Sequence, residues 1–137
     1  MDPFEAVKIT FFQECEEQLA ELEAGLLALE NGEGDSETIN AIFRAVHSVK
    51  GGAGAFGFDD LVRFSHVFET TMDLLRSGKL EAGQDVLKVL LRAADVLADH
   101  VQAAKGGGAV DEARSVAIAK ELEVLNDPGA AKPAAAM

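Results

Sequence analysis

Residues Phe43–Gly57 read FRAVHSVKGGAGAFG, and the spacing of apolar side chains in this stretch decides the fold class. Wound at 100° per residue, Ile42, Val46, Val49, Ala53 and Phe56 share one side of a helix. His47 falls on the other side, with Lys50, Gly51 and Gly54 near its bearing. One face is therefore suited to a core. The other carries a histidine, a cation and two residues without side chains. Glycine in a helix interior costs about 1 kcal/mol relative to alanine, yet Gly51, Gly52, Gly54 and Gly57 crowd into seven residues. Something other than stability calls for a flat surface beside His47.

Upstream, Asp2-Pro3-Phe4-Glu5 combines a cap, a first-turn proline and capping-box spacing, which together start a helix. Phe12, Cys15, Leu19, Leu22, Leu26 and Leu29 then recur at threes and fours until Asn31-Gly32 stops it. Asp35 or Ser36 caps the second helix, which spans about residues 37–56 and ends at Gly57. Downstream, Asp59 is the expected cap of a third helix with the stripe Leu61, Phe64, Phe68, Met72 and Leu75, closed by Ser77-Gly78. A fourth runs from roughly Ala82 to Lys105 on Leu87, Leu90, Leu91, Ala94, Leu97 and Val101. After Gly106-Gly107-Gly108, Asp111 caps a fifth, whose apolar members are Val116, Ile118, Leu122 and Leu125. No segment alternates at period two, so no sheet is expected. Short turns between long helices favour antiparallel neighbours. The predicted fold is all-α: an antiparallel up-down four-helix bundle with a fifth C-terminal helix. Residues 1–125 are expected to form one domain. The stretch 126–137 lacks periodicity and reads as a flexible tail or the start of an interdomain linker.

The 137 residues carry 24 acids against 12 bases, a formal net charge of −12. No basic patch offsets this, so nucleic acid and anionic membrane are unsuitable partners. The charge keeps a domain soluble and steers it toward a basic surface. No apolar run approaches the roughly 18 residues that span a bilayer, and the start MDPFEAVK is not a signal peptide. A cytoplasmic, monomeric domain is expected. Cys15 has no second cysteine to pair with and lies on the apolar side of its helix, where a thiol is inert.

Three kinds of chemistry fit these residues to different degrees. Gly52-Ala53-Gly54-Ala55-Phe56-Gly57 matches GxGxxG, but a dinucleotide site needs a strand before it and a helix starting within it. Here a helix precedes it. His66 and Glu69 lie three residues apart on the third helix, and with His47 they would make three ligands. Di-iron bundles instead repeat Glu-x-x-His and add two further glutamates, so no metal site is expected. The third possibility is a reactive histidine. A neutral imidazole nitrogen attacks a phosphoryl group when its other nitrogen is held as the N–H by a carboxylate. Glu69, off the apolar stripe of the third helix and with Val62 and Asp73 along the same side, is the candidate holder. Lys50 lies one turn after His47 and can offset phosphate charge. Gly51 and Gly54 leave room for a second protein. An ordinary surface histidine, or a non-catalytic module docking a partner through the glycine face, meets the same spacing.

The run HSVKGGAGAFGF, preceded by Phe43-Arg44-Ala45-Val46, resembles the phosphotransfer motif of the histidine-containing phosphotransfer (HPt) family. Within that family it is most similar to the amino-terminal domains of chemotaxis histidine kinases of the CheA type. His47, Lys50, Gly51 and Gly57 match the family pattern, and His66-Val67-Phe68-Glu69 matches the His-x-x-Glu of the next helix. The resemblance covers about residues 4–125 and is strongest over 43–69. It implies five helices and phosphorylation at Nε2 of His47, with Glu69 on Nδ1 and Lys50 and His66 as tuning neighbours. Phe43, Arg44, Gly51 and Gly54 would form the docking surface. The implied partners are a CheA-type kinase catalytic domain, which uses ATP, and CheY-like and CheB-like response regulators, which bring their own Mg²⁺. No cofactor is expected on this chain, and no ATP-binding domain accompanies the motif. The chain reads either as an excised domain or as a stand-alone phosphotransfer protein.

Overall fold

The computed structural model describes residues 2–127, and every regular element among them is a helix. These are α1 (Pro3–Glu30), α2 (Ser36–Phe56), α3 (Asp59–Arg76), α4 (Gln84–Lys105) and α5 (Glu112–Asn126). Helices α1 to α4 close a ring in which α2 packs on α1 and α3, and α4 packs on the same two. Helix α5 lies across α3 and α4. The predicted four-helix bundle with a fifth helix is therefore the observed architecture.

Local chemistry sets most of the helix ends. The Asp2 carboxylate accepts from the Glu5 N–H at 2.8 Å. Asp35, not Ser36, caps α2 in a reciprocal box with Thr38, satisfying two backbone donors that a helix start leaves orphaned. Gly57 ends α2 at φ 74°, a left-handed conformation that a side chain disfavours. The expected cap of α3 was wrong. Phe58 occupies that position without a side-chain hydrogen bond, and Asp59 is already helical. The single-residue reversal at Gly57 restarts the helix too early for Asp59 to cap it. Asp59 and Asp60 instead place negative charge against the positive end of the helix dipole. Helix α4 begins at Gln84, two residues later than expected, after an uncapped Gly83.

The core is one cluster in which Leu26, Val46, Phe68, Met72, Leu90, Leu97 and Leu122 are fully buried. Each such side chain contributes about 1.5–3 kcal/mol of transfer free energy. Cys15 joins them at 1 % exposure. Its burial, then the charges of Glu14 and Glu16, push the thiol up to about 12, so it stays protonated. Phe4, Phe11, Phe56 and Phe58 form a linked aromatic cluster where α1 meets the end of α2. Gly52 is the floor of that cluster. A Cβ there would meet the Phe11 ring at 2.3 Å.

Helix α5 departs from expectation in two ways. Val116 is exposed, and the inward face is Ser115, Ile118 and Leu122. The polar Ser115 turns inward because its hydroxyl pairs with buried His100, which hid the true register. The helix also continues through Asn126, whose carboxamide accepts from the Thr71 hydroxyl at 2.6 Å and donates to the Val67 carbonyl at 3.1 Å. The remainder of the expected tail, 128–137, lies outside the described residues.

Candidate functional site

The packing of α2 on α3 brings His47, Lys50 and Glu69 together. His47 sits on the outer face of α2 with its side chain 62 % exposed. Glu69 reaches it from α3 with a carboxylate only 12 % exposed, Oε2 on Nδ1 of the imidazole. The other oxygen, Oε1, accepts from Lys50 Nζ at 2.6 Å. Both carboxylate oxygens are therefore engaged, one by the imidazole and one by the cation a turn further along α2.

The electrostatics follow from that arrangement. Partial burial alone would push the Glu69 carboxyl up. The hydrogen bonds from Lys50 and His47, and the charges behind them, outweigh it and hold the carboxyl below its ordinary value. Glu69 is thus ionised at neutral pH, and an ionised carboxylate only accepts. Nδ1 must be the donor. In the neutral ring this leaves the lone pair on Nε2, and no hydrogen bond among the described residues occupies that atom. The arrangement is an exposed nucleophilic nitrogen with its tautomer set from behind.

Around the imidazole the surface is flat. A Cβ on Gly51 or Gly54 would meet nothing within 4 Å, so these two glycines answer no packing demand inside the domain. Gly52 differs, being needed by Phe11. Phe43, one turn before His47, lies nearly parallel to its ring, at 10° and 6.0 Å between centroids. Arg44 is exposed beside it. His66 is exposed too, and among the described residues its ring makes no hydrogen bond or ion pair with His47 or Glu69. The structure thus joins three of the four predicted site residues and leaves His66 as a neighbour on the surface. Sequence reading missed Arg76, whose guanidinium lies 3.8 Å from the centre of the Phe43 ring. The signal was present. Glu69, Asp73 and Arg76 fall at i, i+4 and i+7 on one face of α3. No group of three or more His, Cys, Asp or Glu among the described residues is placed to hold a metal ion.

The Hpt domain family model matches residues 7–107. The chain belongs to the Hpt-domain family. Among curated relatives of this Hpt domain, the chemotaxis protein CheA of Rhizobium meliloti (strain 1021) is 70 % identical over 119 residues, covering 87 % of this chain and 16 % of that protein. CheA of Salmonella typhimurium is 39 % identical over 116 residues, covering 85 % of this chain and 17 % of the relative. The Hpt chain therefore spans about one-sixth of the length of these relatives. A solved structure of similar fold is the phosphorylated P1 domain of CheA3 from R. sphaeroides in complex with CheY6. It superposes with a TM-score of 0.76 at 27 % identity, over 86 % of this chain and 93 % of that one.

Proposed function

We propose that this Hpt domain carries phosphoryl groups between a chemotaxis kinase and its response regulators. The observation that supports it is the carboxylate-held imidazole: Glu69 on Nδ1, with Nε2 exposed above Gly51 and Gly54. In the first step the Nε2 lone pair attacks the γ-phosphorus of ATP held by a separate CheA-type kinase domain. An N–P bond forms, the bond to the ADP oxygen breaks, and the imidazole ring becomes cationic. Glu69 stabilises that charge while Nδ1 keeps its proton. In the second step a carboxylate oxygen of a CheY-like or CheB-like receiver attacks phosphorus, the N–P bond breaks, and the ring leaves as neutral imidazole. A receiver that brings its own Mg²⁺ would supply charge screening for the transferring oxygens. The domain works in the cytoplasm, where ATP is available, and supplies no cofactor of its own.

In this reading Lys50 has a modest role. It neutralises the far oxygen of Glu69, and a lysine is a flexible, strongly hydrated charge. The glycine face serves both docking steps. A docking-only module would have no use for a half-buried carboxylate aimed at Nδ1 of the imidazole. The reading is tested by incubating the domain with a CheA-type kinase core and labelled ATP, then mapping the phosphate. Label on His47 alone, lost in acid and kept in alkali, is the predicted outcome. Label on His66, or label retained in His47→Gln, contradicts it.

A further inference from the structure

We propose that Arg76 is a positioning residue for phosphoryl transfer at His47, acting through the ring of Phe43. The proposal rests on the reading of His47 as phosphoacceptor and adds what sets the plane of its ring. The Glu69 contact fixes one atom, Nδ1. A single hydrogen bond to a flexible glutamate side chain selects the tautomer but lets the ring rock in χ1 and χ2 together with that carboxylate, and with it the direction of the Nε2 lone pair. In-line attack on phosphorus needs that direction held. Phe43 is the second constraint, nearly parallel to the imidazole at 10°.

Phe43 is itself only partly buried, so packing alone does not hold its ring. Arg76 supplies the missing wall. Its planar guanidinium lies 3.8 Å from the Phe43 ring centre, a distance suited to cation–π stacking. Its Nε donates to Asp73 Oδ1 at 2.9 Å, which stops the guanidinium from turning away. The side chain of Arg76 is 42 % exposed. Two specific contacts on so exposed a side chain give it a fixed pose, and that pose backs the aromatic ring stacked beside the nucleophile. The stack links the last turn of α3 to the middle of α2, so α3 controls the imidazole twice: at Nδ1 through Glu69 and in its plane through Arg76.

The test uses the domain with two phosphoryl donors, phosphoramidate and a CheA-type kinase core with ATP. Exposed cation–π contacts are weak, so Arg76→Ala should lower kcat about two- to fivefold with either donor and leave KM unchanged. Arg76→Lys keeps the charge without the planar stack and should fall between. In a Phe43→Leu background, Arg76→Ala should cause no further loss. The NMR signals of the His47 ring protons should lose the ring-current shift from Phe43 in both single variants. A defect seen only with the kinase core and only in KM makes Arg76 a docking contact and overturns the proposal. Additive losses in the double variant, or wild-type rates and ring-proton shifts in Arg76→Ala, overturn it too. If wild-type His47 accepts no phosphoryl group, the functional reading fails, while the ring-proton shifts still decide whether Arg76 acts through Phe43.

Discussion

His47 and His100 occupy helices of the same bundle and meet opposite conditions. The His47 side chain is 62 % exposed and bonded to a carboxylate. His100 is 6 % exposed, stacked on Phe64, and bonded through Nε2 to the Ser115 hydroxyl at 2.9 Å. Burial lowers the His100 pKa, against the pull of Asp60, Glu112 and Asp99 toward the charged form. His100 is therefore a neutral imidazole at pH 7, which nucleophilic attack requires. It is nevertheless closed off, buried in the core with its Nε2 tied to Ser115 of α5. Neutrality alone does not make a histidine reactive. Access and a charged partner behind the ring distinguish the two sites.

The largest expected effect comes from exchanging their fates. His47→Gln should abolish phosphorylation, whereas His100→Gln should keep labelling at His47 and lose thermal stability instead. Next in size is Glu69→Gln. A hydrogen bond to a charged group contributes about 1.5–3 kcal/mol, so phosphorylation of His47 should slow about tenfold or more in a single-turnover assay.

The glycines sharpen the same contrast between function and packing. Gly52→Ala drives a methyl into Phe11 and should destabilise the fold by about 1–3 kcal/mol in urea titrations. Gly54→Ala enters open space and should stabilise the helix by about 0.5–1 kcal/mol. Gly54→Gln should leave the fold intact and slow transfer to a receiver, and normal transfer would remove the docking role from this face.

The smallest effects lie in the pH dependence of stability. The folded His100 pKa is below its unfolded value, so its contribution is complete above about 6.5. It declines as pH falls from there toward the folded value. The Glu69 carboxyl is also lowered, so its contribution persists above the ordinary carboxylate value and is lost as pH falls through the folded one. Denaturation midpoints between pH 8 and pH 3 should show two declines. His100→Gln should remove the first and Glu69→Gln should weaken the second.

Much of this was legible in the sequence for a physical reason. Helix periodicity and caps are local, so Asp2, Asp35, Gly57 and Asp111 marked ends that the structure shares. The facing of His47, Lys50 and Glu69 followed from their bearings on two helices. What stayed hidden depends on contacts between helices. Ser115 points inward only because His100 awaits it, which displaced the expected position of Val116. Gly52 reads in the sequence only as one of four clustered glycines, and its packing demand becomes visible once Phe11 is placed over it. Arg76 lay on the Glu69 face all along, but its meeting with Phe43 depends on how α3 crosses α2.

The central claim is that Glu69 keeps the proton of neutral His47 on Nδ1 and leaves Nε2 bare. Nitrogen-15 NMR of the imidazole at a pH where the ring is neutral reads this directly. The account predicts a protonated Nδ1 and an unprotonated Nε2 in the wild type, with the bias toward that tautomer lost in Glu69→Ala. A wild-type His47 carrying its proton on Nε2, or a tautomer indifferent to the loss of Glu69, would contradict it.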